Sequence, residues 1–200
     1  MKLKISLGVC AILLSSLAAL AQSQQKHEMT AEEKAAMDAM MKAATPGDAH
    51  KKLAGMVGTW DASVKMYPAP GAPAQESTGI AENKWVLGGR WIQETFMGSF
   101  MGMPFSGIGY TGYDNVKKQY VGTWMDTAST SMMQSTGSST GDKTYEFNST
   151  VDDPASGKAM PVKSKVIVTD ENHHTMEMWM PGPDGKMFKM MEINYTRKKS

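Results

Sequence analysis

The sequence predicts a mainly β protein: an antiparallel up-and-down β-barrel of about ten strands with an N-terminal helical segment. Three observations carry this. From Gly58 onward apolar and polar residues alternate with the two-residue period of a half-buried strand. Turn signals break that alternation about every dozen residues. Between one strand-like run and the next there is no room for a helix, which excludes a βαβ arrangement.

Residues 1–21 read as a secretory signal peptide. Lys2 and Lys4 precede an apolar run from Leu7 to Leu20, and Ala19, Leu20 and Ala21 supply the small residues of a cleavage site. The run is too short to span a bilayer and is followed by polar Gln22 to Gln25, so an exported, periplasmic or secreted protein with no transmembrane anchor is expected. Cys10 lies inside this leader. The processed chain therefore has no cysteine, and its stability must come from a packed core rather than disulfides.

Residues 22–57 form a helical leader. Thr30 followed by Glu33 makes a capping box, and Met37, Met40, Met41 and Ala44 recur at helical spacing until Thr45, Pro46 and Gly47 stop the helix. A second short helix is expected from Asp48 through His50 and Leu53 to Met56. His27 and His50, in these leader segments, are expected to be solvated.

Residues 58–197 form the barrel. Trp60, Ala62, Val64 and Met66 alternate with Thr59, Asp61, Ser63 and Lys65 in the first strand. Later runs are separated at Pro68 to Pro73, Gly88 and Gly89, Gly102 to Pro104, Asp114 and Asn115, Gly141 and Asp142, Asp152 to Gly157, Glu171 and Asn172, and Pro181 to Gly185. Gly88 and Gly89, between "KWVL" and "RWIQ", read as a two-residue hairpin turn. The stretch "GIGYTGYD" contains a G-x-G-x-x-G, but a dinucleotide loop needs a helix after its glycines. Here Asp114 and Asn115 lead into another strand, "KKQYVGTW", so Gly107, Gly109 and Gly112 are read as strand glycines that admit a close aromatic neighbour or a bend.

Two resemblances sit on these residues. "VGTWDASVKM" resembles the G-x-W that opens lipocalins and related calycin barrels. That likeness implies that Trp60 packs across the closed end and that Arg197, in the last strand "EINYTRKK", lies over it. From His50 to Lys199 the strings "GTWD", "AENKWVLGGRW", "MGMPFSGIGYTGYDN", "KKQYVGTWMD" and "MPGPDGKMFKMMEINYTRKK" resemble a bacterial, often exported family known only as a domain of unknown function, expected to be a lipocalin-like barrel. The resemblance implies no reaction, ligand or catalytic residue, and the helix from Thr30 to Ala44 falls outside it.

For function, charge excludes more than it selects. Twenty-one basic residues stand against twenty acidic ones, and no basic stripe with interleaved aromatics suggests nucleic acid. There is no H-E-x-x-H, P-loop or cysteine nucleophile. Small barrels either fill their interior with side chains or keep a cavity for one ligand. Abundant aromatics and twenty methionines favour the cavity, because thioethers adapt to irregular shapes. A small apolar or amphipathic ligand is thus the expected partner, with Trp85, Trp91, Phe96, Tyr110, Trp124 and Trp179 as its apolar surround and Glu94 and Arg90 as polar anchors.

Among the charged residues within or beside strand runs, Glu82, Lys84, Arg90, Glu94, Glu177 and Glu192, the pattern singles out Glu94. It shares a face with Ile92 and Phe96, so it should be half-buried beside a partner such as Arg90 or Lys84. Two alternatives stay open. His173, His174, Met176 and Met178 offer imidazole and thioether to copper or haem, although adjacent histidines on a strand point to opposite faces. A half-buried glutamate could also act as the base of a cofactor-free enzyme. The sequence itself names no cofactor and no oligomeric state.

Overall fold

The computed structural model describes residues 28–199. The leader 1–21 and His27 lie outside the described residues. The chain divides into two units, the first ending at Met41 and the second beginning at Lys42. In the first, a helix spans Ala31–Ala44 up to the boundary and beyond it. Its capping box forms as the sequence requires: the Thr30 amide donates to Glu33 Oε2 at 2.8 Å and the Glu33 amide donates to Thr30 Oγ1 at 3.2 Å. None of the helix's residues is buried.

In the second unit a five-residue helix, Asp48–Lys52, runs into a 3₁₀ turn, Leu53–Met56. Ten strands follow: β1 Gly58–Met66, β2 Gln75–Val86, β3 Trp91–Phe100, β4 Met103–Asp114, β5 Gln119–Asp126, β6 Met133–Ser139, β7 Thr144–Asp152, β8 Ala159–Val168, β9 His173–Pro181 and β10 Met187–Arg197. Each pairs antiparallel with its sequence neighbours, and β10 returns to β1, so the sheet closes into an up-and-down barrel with no free edge. The alternation that predicts each strand also sets its facing. In β1, Trp60, Ala62 and Val64 are buried, whereas Thr59, Asp61 and Ser63 are exposed.

One turn departs from expectation. Gly88 and Gly89 do not make a two-residue hairpin, because β2 ends at Val86 and β3 starts at Trp91. The turn covers Leu87 to Arg90, with three successive positive φ values at Leu87, Gly88 and Gly89 and the Arg90 guanidinium donating to Leu87 O at 3.0 Å.

The short helix and 3₁₀ turn close one end. Leu53 and Met56 pack with Ile92, Tyr120, Tyr145, Phe147 and Val168 in one core cluster. Two phenols also donate to the helix's backbone: Tyr120 to Ala49 O at 3.1 Å and Tyr145 to Lys52 O at 2.7 Å. His50 is buried rather than solvated: its Nδ1 accepts the Gly47 amide at 3.1 Å and its ring meets Tyr113 edge-on. Burial lowers its proton affinity. Tyr145 is fully buried, so Tyr145→Phe should keep the packing, remove the hydrogen bond to Lys52 O and cost about 1 kcal/mol, read as a shift in urea midpoint at unchanged slope.

Candidate functional site

Trp60 is the keystone of the closed end. It is fully buried, and its Nε1 donates to Met56 O at 3.0 Å. The Arg197 guanidinium carbon lies 4.1 Å from its ring centroid, as the G-x-W resemblance implies. Arg197 is otherwise engaged by backbone, with Nη1 donating to Val57 O at 3.0 Å and Nε to Glu171 O at 2.6 Å. Gly58 adopts φ +142°, and a Cβ there would collide with the guanidinium. The glycine of the motif is thus required by the close approach of the arginine.

Above Trp60 the barrel interior carries a polar cluster. His174 is 4% exposed, stacked on Tyr195 at 4.2 Å and met edge-on by Trp60 at 4.3 Å. Burial and the nearby Arg197 charge push its proton affinity down to about 4, so it is neutral at pH 7, and its Nδ1 has no hydrogen-bond partner. Tyr195 hydrogen-bonds to Glu94 from across the barrel. Asn83, opposite Glu94 in the β2–β3 register, donates to Met56 O at 3.0 Å but leaves its own Oδ1 unpaired.

Glu94 faces inward between buried Ile92 and Phe96. It is surrounded by protein yet only half-buried, so the surface it keeps opens into the lumen. Desolvation pushes its carboxyl up to about 7, against the smaller opposing effect of the Tyr195 hydrogen bond. Phe105, Trp124, Met176 and Met191 are likewise inward and half-buried. Trp124 lies along the wall over Gly107 and Gly109, where any Cβ would strike its ring. This is what the G-x-G of "GIGYTGYD" does: it lets an indole lie flat against the sheet instead of reaching across the lumen.

Of the sequence-predicted ligand residues, Glu94, Phe96 and Trp124 come together on the inner wall, and Trp85 faces inward at the closed end. Trp91, Tyr110 and Trp179 do not join them. Each alternates with an inward neighbour, Ile92, Gly109 and Met178 respectively, and so lies on the outer face. Arg90 is not the partner of Glu94, because it sits in the β2–β3 turn. With Trp91, His50 and Asn115 it borders a surface depression of about 190 Å³. Lys84 is no partner either, since it lies on the outer face 3.8 Å from Glu82. Glu177 and Glu192 share Lys189, again outside.

The proposed metal ligands divide in the same way. His173 turns outward to Asp170, with 2.9 Å between Nδ1 and Oδ1, while His174 turns inward with Met176 and Met178. The two imidazoles cannot share one ion. Among the described residues no cluster of three or more His, Cys, Asp or Glu side chains could hold a metal. Sequence reasoning missed Asn83 and Tyr195. The signal for Tyr195 was its alternation with Ile193 and Arg197 in the strand that returns beside Trp60.

Residues 45–197 match the family described as "Protein of unknown function (DUF1579)". The chain belongs to that family. No curated protein matches this DUF1579 chain. Two solved structures share its fold. One is Rv2717c from M. tuberculosis, with TM-score 0.55 and 16% identity over 78% of this chain and 100% of that one. The other is the S-type phycobiliprotein lyase CPES from Guillardia theta, with TM-score 0.53 and 11% identity over 78% of this chain and 99% of that one. Like those, the DUF1579 chain is a lipocalin-like barrel. Among its described residues no helix is long and apolar enough to cross a membrane.

Proposed function

We propose that this DUF1579 protein is an exported binder that holds a small apolar or amphipathic molecule in the barrel lumen. The observation that carries the reading is the partial exposure of Glu94, Trp124 and Met176 on the inner wall. Side chains that filled the interior would bury one another, whereas these keep part of their surface open, which supports a lumen able to take a ligand. Trp124, Phe96, Phe105 and the inward methionines supply the apolar surround, and Glu94 with Tyr195 and Asn83 fixes orientation.

The test is native mass spectrometry of the protein purified from its own host, beside its denatured mass and a metal scan. An organic adduct released on denaturation is expected. A clean apo mass, together with no uptake of the neutral dye N-phenyl-1-naphthylamine, would overturn the reading in favour of a filled barrel. A bound metal or haem lost in His174→Ala would instead move the chemistry to His174, Met176 and Met178.

The carboxyl of Glu94 also supports a second reading, a cofactor-free enzyme. A group held near 7 and facing a phenol exchanges protons readily at neutral pH. That reading requires a turnover that disappears in Glu94→Gln while the fold persists.

A further inference from the structure

The charges on the inner wall are unequal. The β registers place two carboxylates there, Glu94 at mid-barrel and Asp126 one step nearer the mouth. Among the described residues Asp126 accepts only from uncharged donors, the Trp124 indole at 2.8 Å and the Ala128 amide at 2.9 Å. Glu94 is met by the Tyr195 hydroxyl, and no cation among the described residues acts on it. The strand lysines Lys65, Lys84, Lys163, Lys165 and Lys189 all alternate with inward residues and point outward. The inward cation Arg197 sits at the closed end, stacked on Trp60 and spent on the carbonyls of Val57 and Glu171. His174 is sealed between Trp60 and Tyr195. Beside Glu94, the buried Asn83 Oδ1 is a further acceptor without a donor. Uncompensated carboxylates within low-dielectric walls focus a negative potential.

We propose that the lumen selects cationic amphiphiles, an apolar or aromatic body bearing a basic nitrogen, whose ammonium is received by Glu94 and Asn83 and drawn in past Asp126. The inference rests on the lumen-binding reading and adds the class of ligand. A carboxylate-headed lipid would meet Glu94 and Asp126 with no cation to receive it, and a buried charge without a partner is strongly disfavoured. An ammonium completes both open acceptors and gains charge-assisted hydrogen bonds.

The test is calorimetric titration of the purified protein at pH 7 and low salt with three probes of one body: 1-naphthylmethylamine, 1-naphthylmethanol and 1-naphthoate. The amine should bind at least about ten-fold tighter than the carboxylate, with the alcohol between them. Because the Glu94 carboxyl is about half protonated at pH 7, amine binding should also release about half a proton, measured from the dependence of heat on buffer ionisation. Glu94→Gln, which replaces the carboxyl with an isosteric amide, should abolish that release and bring amine and carboxylate within about three-fold of each other. If the alcohol binds but the amine is no tighter than 1-naphthoate, the inference fails and the lumen reading stands. If none of the three binds and the neutral dye is not taken up, the lumen reading fails and carries the inference with it. An amine preference that survives Glu94→Gln undiminished also overturns it.

Discussion

Trp60→Ala is expected to cost about 3–5 kcal/mol of unfolding free energy. The side chain is 0% exposed and packs with Ala62, Ala81, Ile193 and Tyr195, so truncation leaves a cavity that strands tied into a closed barrel cannot collapse to fill. Three further contacts disappear with it: the hydrogen bond to Met56 O, the stacking surface for Arg197 and the edge contact with His174. Trp60→Phe separates these contributions, because it keeps most of the ring and loses the indole N–H. It should cost about half as much, since Asn83 still donates to the Met56 carbonyl. Urea unfolding followed by far-UV circular dichroism gives both values. A Trp60→Ala loss under about 1 kcal/mol would mean that the closed end is held without Trp60, by the packing of Leu53 and Met56 and by the Tyr120 and Tyr145 phenols.

The barrel was legible because alternation is a one-strand property. Trp60, Ala62 and Val64 declare their face without reference to any other segment, and ten such runs with tight turns close on themselves. The site was legible only in part, for a matching reason. Glu94 could be assigned an inward face from Ile92 and Phe96, but its partner Tyr195 stands on β10, with β1 and β2 between the two strands in the sheet. Periodicity states which way a side chain points and says nothing of what it meets on the far wall. The cations near Glu94 along the chain, Arg90 and Lys84, are therefore not its partners: one lies in a turn and the other on the outer face. Aromatic character alone points Trp91, Tyr110 and Trp179 to the lumen, but the same parity that turns Glu94 inward puts these three outside. His50 illustrates the reverse case. A short polar helix reads as solvated, and only the closure of the barrel against it buries the imidazole.

Glu94→Gln and His174→Phe should change the pH dependence of stability in opposite directions, by about 3 kcal/mol each. Glu94 has its proton affinity raised from 4.5 to about 7 on folding, so the folded state holds a proton that the unfolded state gives up. Below pH 4.5 both states are protonated and nothing is lost; as pH rises toward 7 stability falls by about 1.4 kcal/mol per unit, and above 7 the full cost persists. His174 has its affinity lowered from 6.5 to about 4, so its contribution is fully present above pH 6.5 and is lost as pH falls toward 4. Between about pH 4.5 and 6.5 the two slopes oppose each other, and the parent protein conceals both. Relative to the parent, Glu94→Gln should therefore gain stability steadily from pH 4.5 to 7. His174→Phe, which keeps a ring between Trp60 and Tyr195 and removes a nitrogen that has no partner, should show its greatest relative stability near pH 4 and lose that advantage by pH 6.5. Burial lowers the affinity of His50 as well, but that contribution is common to all three proteins and cancels in the differences. Urea midpoints at half-unit intervals from pH 4 to 8 give the comparison. If Glu94→Gln tracks the parent in parallel across that range, Glu94 reaches water as freely as a surface carboxylate, and the barrel interior around it is as wet as bulk solvent.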